Sequence, residues 1–84
     1  MTSTIISSFI GFDLQRITVP FIVIYDNPTD FEGHFVARLF SLDQPTPFCI
    51  VNKSLDDVLK EIPSELKLMP RHPQDDPKIV SIFM

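Results

Sequence analysis

Glycine is scarce in this sequence: Gly11 and Gly33 are the only two among 84 residues. Phosphate-cradling loops need several glycines, because a side chain blocks the close approach of backbone to phosphate. The chain therefore carries neither a P-loop nor a dinucleotide fingerprint, and a nucleophile elbow is absent as well. Cys49 is the sole cysteine, which excludes an intrachain disulfide and a thiolate-built zinc site and fits a reducing compartment. No cofactor is expected. Basic residues are few: seven Lys and Arg stand against eleven Asp and Glu, for a net charge of −4. They are scattered from Arg16 to Lys78 without a run, so the clustered cations that track a nucleic-acid backbone are missing. No apolar run approaches the roughly 18 residues of a membrane span. The start, Met1 to Ile10, has no basic residue and is broken by serines, unlike a secretory signal. A cytoplasmic protein without membrane or nucleic-acid partners is expected.

What is abundant is proline and apolar surface. At 84 residues, 44% of them hydrophobic, the chain is long enough for one domain with a small core and too short for two. Eight prolines, at 20, 28, 45, 47, 63, 70, 73 and 77, cut it into short elements. Residues 1–16 leave helix and strand open, since the partial stripe Ile5, Ile6, Phe9, Ile10 and Leu14 is interrupted by Gly11 and paired serines. Ile17 to Tyr25 is β-branched and aromatic and reads as a central strand. Asp26 to Asp30 supplies turn chemistry. His34 to Leu42 alternates, with Phe35, Ala37 and Leu39 on one face and Val36, Arg38 and Phe40 on the other. Residues 43–47 read as a loop and Phe48 to Val51 as a third strand, giving an antiparallel meander.

Ser54 to Pro63 has the pattern of an amphipathic helix: Leu55, Val58, Leu59 and Ile62 form a stripe with Leu59 in its middle. Ser54 is the N-cap, Asp56 and Asp57 complement the dipole, and Pro63 stops the helix. Lys78 to Met84 is a last strand, apolar on both faces and hence expected inside the sheet. The fold expected is α+β: a three- to four-stranded, mainly antiparallel sheet with one amphipathic helix on a face. Its order is β-β-β-α-β over residues 17–84, after an N-terminal extension, 1–16, within one domain.

Chemistry-bearing residues fall into two sets. Asp26, Asp30 and Glu32 precede the second strand, and His34, Arg38 and Phe40 lie on one of its faces; together they form a candidate surface for a protein partner with basic character. The two-sided apolar alternation of the same strand points to self-association, most simply a homodimer. His34, His72, Asp75 and Asp76 make the alternative set, an imidazole–carboxylate grouping for a small hydrolase or a metal-binding enzyme. Its spacing matches no metal motif, so binding is favoured over turnover. A stretch of aromatic rings, Phe21, Tyr25, Phe35, Phe40 and Phe48, lacks the interleaved cations of a nucleic-acid platform and is assigned to the core.

Gly33-His34-Phe35-Val36-Ala37 opening the second strand, Ser54-Leu55-Asp56-Asp57-Val58-Leu59 opening the helix, and the proline-and-acid stretch Met69 to Pro77 before the last strand together resemble the N-terminal domain of HicB-type antitoxins, over Ile17 to Met84. The resemblance implies a partial RNase H-like fold that oligomerises and blocks a small basic RNA-cleaving toxin. The DNA-binding segment that usually follows in that family is not expected after this last strand. Family members carry a Pro-Gly-Cys-like turn where this chain has Asp43-Gln44-Pro45-Thr46-Pro47.

Overall fold

The computed structural model describes residues 3–42, 44–70 and 77–84. It is an α+β fold: a five-stranded mixed sheet with one short helix. The strands are β1 (Thr4–Ile5), β2 (Pro20–Asp26), β3 (Phe35–Ser41), β4 (Gln44–Asn52) and β5 (Ile79–Phe83), and α1 spans Leu55–Leu59. Short 3-10 turns occupy Leu14–Arg16 and Thr29–Phe31. The sheet order is β1-β4-β3-β2-β5. β2, β3 and β4 form an antiparallel meander, β5 lies antiparallel to β2, and β1 runs parallel to β4. The strand count therefore exceeds the expected three to four. The extra one is β1, two residues long and too short to leave a periodic signal.

Three further differences have local causes. Residues 44–47, read as a loop because of Pro45 and Pro47, belong to β4. Here the ladder is irregular: Phe40 pairs with Pro45 and Arg38 with Cys49, so Thr46, Pro47 and Phe48 all face Leu39. At this irregularity the Thr46 hydroxyl donates to the Leu39 carbonyl at 2.7 Å, and a bulged edge is where a strand tolerates proline. The helix is shorter than 54–63, and Leu59 is not in the middle of its buried face. Val58 is fully buried while Leu59 is 37% exposed, since neighbouring residues point about 100° apart around a helix and cannot share its centre. The Ser54 hydroxyl does accept from the Asp57 N–H, at 3.4 Å.

β5 is last in the sheet order rather than between strands. Its outer side is nevertheless paired, because Lys67 and Met84 exchange backbone bonds of 2.8 and 3.0 Å and the Met69 N–H donates to the Ile82 carbonyl at 2.8 Å.

The alternation of the strands sorts the side chains onto two faces. Ile22, Ile24, Ala37, Leu39 and Ile50 are buried together with Val58 and Ile62. Phe9, from the segment that the sequence left open, belongs to the same core and is fully buried. The Phe9 N–H donates to the Glu61 carbonyl at 3.1 Å, and its carbonyl accepts from the Phe12 N–H across a turn that contains Gly11 at φ +81°. A positive φ at the third position of such a turn is what glycine permits. Of the five rings assigned to the core, Phe35 and Phe48 pack against it, whereas Phe21, Tyr25 and Phe40 lie on the other face; Phe12, not among those five, packs against the core as well.

Candidate functional site

That other face is built around Arg38. Alternation places Arg38 in the middle of β3, between Val23 of β2 and Cys49 of β4. A guanidinium in such a position must find hydrogen-bond acceptors, because burying an unpaired charge is costly. Nη1 donates to the Thr46 carbonyl at 3.2 Å, which the β4 irregularity turns toward it, and Nη2 donates to Ser3 Oγ at 3.0 Å. The Asp30 carboxylate, on the 3-10 turn between β2 and β3, stands 3.6 Å from Nη2. The two partners differ in exposure: the Arg38 side chain is 11% exposed and that of Asp30 59%.

Above the guanidinium is a cavity of about 350 Å³. Tyr25, Pro28, Val36, Phe40 and Pro45 give it an apolar wall, and Ser3, Asp30 and Arg38 supply its polar groups. Phe40 is held by stacking on Phe21, with ring centroids 5.1 Å apart and planes 11° from parallel. Cys49 is fully buried on the same face. Burial pushes its thiol above the ordinary value, and the Asp30 charge adds to that; the Arg38 charge and a hydrogen bond from Ser3 oppose it. The thiol is thus protonated and shielded, the opposite of an activated nucleophile.

Of the six residues named for partner binding, the structure brings Asp30, Arg38 and Phe40 together around this cavity. Asp26, Glu32 and His34 sit in or beside the connection from β2 to β3 but do not line it. That connection is organised by its own hydrogen bonds. Asn27 Oδ1 accepts from the Gly33 N–H at 2.7 Å, and the His34 ring Nδ1 lies 2.9 Å from the Glu32 carbonyl. In the alternative set, His72, Asp75 and Asp76 lie outside the described residues, as do Asp43 and Arg71. Among the described residues no group of three or more His, Cys, Asp or Glu is placed to hold a metal ion. None of their helices is long and apolar enough to cross a membrane.

Sequence reasoning missed Ser3, Tyr25, Pro28, Val36 and Pro45 as site residues. For Tyr25 and Val36 the signal existed, because they are cross-strand partners on the Arg38 face and alternate with the core residues. Ser3 reaches Arg38 from 35 positions away, a contact no local pattern encodes.

The edges of the sheet are blunted. β1 covers β4 at Phe48 and Cys49, and the exposed stretch before it contains Pro45 and Pro47, which have no N–H to offer an incoming strand. On the far side Lys67 to Met69 shields β5 and is followed by Pro70. Compared with protein-family models, curated proteins and solved structures, the chain matches none.

Proposed function

We propose that this protein is a small non-enzymatic interaction module that binds a protein partner of basic character on the Arg38 face of its sheet, in the manner of an antitoxin. The observation that carries this reading is the neighbourhood of two features. Asp26, Asp30 and Glu32 are exposed on or next to one connection, and that connection borders the apolar surface of Phe21, Tyr25 and Phe40. Acidic groups beside an apolar patch steer a cationic surface and then give it something to bury. The blunted edges direct the contact to the face rather than to strand addition. The chain order β2, β3, β4, α1, β5 is one of the features in which the chain resembles HicB-type antitoxin domains, and the antitoxin-like part of this reading rests on that resemblance. Self-association belongs to this proposal too, and with the edges blunted a second copy would seat on the same face. For the hydrolase or metal-binding alternative, His34 belongs to no group of three or more His, Cys, Asp or Glu placed to hold a metal ion among the described residues.

The test is affinity capture from the native host with the wild type, with Phe40→Asp, and with Asp26→Lys combined with Glu32→Lys. A basic protein retained by the wild type and lost from both variants is the expected outcome, with capture weakening as salt rises. Equal capture by all three, or tight nucleic-acid binding at physiological salt, overturns the reading. Sedimentation showing monomer alone at micromolar and higher concentrations removes the self-association.

A further inference from the structure

We propose that the cavity over Arg38 is a ligand site for a carboxylate carried on a planar apolar group, and that Asp30 occupies the place of that carboxylate when the site is empty. This goes beyond the partner reading and does not depend on it. A guanidinium has five N–H donors. One is taken by the Thr46 carbonyl and one by Ser3 Oγ, both neutral acceptors that fix the group without matching its charge. Its counter-charge is Asp30 at 3.6 Å, well beyond the roughly 2.7–2.9 Å of a charge-assisted hydrogen bond. Asp30 is the one acidic side chain among the described residues that line the cavity. It is mostly exposed, on a three-residue turn, so it gives up little burial by moving away.

The remaining donors match the two oxygens of an incoming carboxylate, which a guanidinium binds in a fork. The rest of the cavity defines the ligand's body. Tyr25, Phe40, Pro28 and Pro45 offer ring surfaces, and about 350 Å³ accommodates a single aromatic group with a short acid arm. Because Asp30 competes for the same donors, only the fraction of molecules with Asp30 displaced is competent to bind. Removing the Asp30 charge therefore tightens binding by the inverse of that fraction.

The chemistry is shared by a free aromatic acid and by the C-terminal carboxylate of a polypeptide ending in phenylalanine, and the test separates them. The protein is titrated, by NMR chemical shifts, with 3-phenylpropionate, with its neutral amide, and with a tetrapeptide ending in phenylalanine as free acid or amide. The expected result is saturable binding of an acid but not of its amide. Binding should weaken about tenfold or more in Arg38→Lys, which keeps the charge and loses the fork, and tighten about three- to tenfold in Asp30→Asn. Binding of phenylpropionate assigns the site to small acids; binding of the peptide acid alone assigns it to a chain terminus. If no acid binds, if acid and amide bind alike, or if folded Asp30→Asn binds no more tightly, the proposal is overturned. Should Arg38→Lys fail to fold, the acid–amide comparison and Asp30→Asn decide the matter by themselves.

Discussion

Replacing Phe9 by alanine tests whether the segment before β2 is part of the core or an appendage to it. The ring is fully buried, touches Phe12 edge-on at 5.7 Å between centroids, and packs among side chains of the sheet and α1. Phe12 in turn meets Phe48 edge-on at 5.1 Å, so Phe9 begins a chain of rings that ends on β4. Truncating a buried phenylalanine to alanine costs about 3–5 kcal/mol, from lost transfer energy and the cavity left behind. A chain of 84 residues has a total stability of roughly 4–13 kcal/mol, so this loss is a large share of the whole. In a domain of this size each kcal/mol moves Tm by about 4–8 °C, and the expected fall is roughly 12–40 °C. Chemical denaturation gives the direct measure, with Phe9→Leu falling in between. Leu59→Ala and Ile10→Ala serve as comparators, being 37% and 59% exposed, and both should cost less than about half as much. A midpoint for Phe9→Ala equal to that of Ile10→Ala would refute the placement of Phe9 in the core.

Two other expectations concern backbone strain and pH. Val19 has φ +46° and is 49% exposed, a left-handed conformation that a β-branched residue adopts only under strain. Val19→Asn should raise stability by about 0.5–1.5 kcal/mol in thermal unfolding, and a loss would show that the branched side chain contributes more than the strain costs. The Cys49 thiol is raised by burial, so the folded state holds its proton more tightly than the unfolded state does. The associated stability is full below the ordinary thiol range and is lost as pH rises above about 8.5. Denaturation across that range should show a steeper alkaline decline for the wild type than for Cys49→Ala, and parallel curves would contradict it.

The parts of the fold that were legible are those fixed by local rules. Of the run Ile17 to Tyr25, the part from Pro20 became β2, the alternation after His34 became β3, and Ser54 capped α1. What could not be read depended on distant partners. Prolines normally end a strand, but β4 carries Pro45 and Pro47 at an irregularity of its ladder on an exposed edge, where the Thr46 hydroxyl bonds to the Leu39 carbonyl. Phe9 is in the core, and its N–H bonds to the Glu61 carbonyl in the turn after α1, a contact 52 residues away in sequence. The candidate site divides along the same line. Arg38 and Phe40 were legible as one face of an alternating strand, and Asp30 as an acid on the preceding turn, but their meeting with Ser3 and Pro45 is a product of the sheet order.

Arg38 is a place where the pattern of the chain disagrees with its own architecture. Its neighbours across the sheet are Val23 and Cys49, both buried, and an aliphatic side chain would suit the position at no desolvation cost. Charged groups in such surroundings are often neutral or worse for stability than apolar replacements of similar volume. Two neutral partners and one carboxylate at 3.6 Å offset the partial burial, and among the described residues no buried side-chain nitrogen or oxygen is left without a partner. Local inconsistencies of this kind concentrate where a protein does something other than fold. An arginine in the middle of an apolar face, under a cavity and with its counter-ion on an exposed turn, fits the ligand site proposed above better than a purely stabilising role.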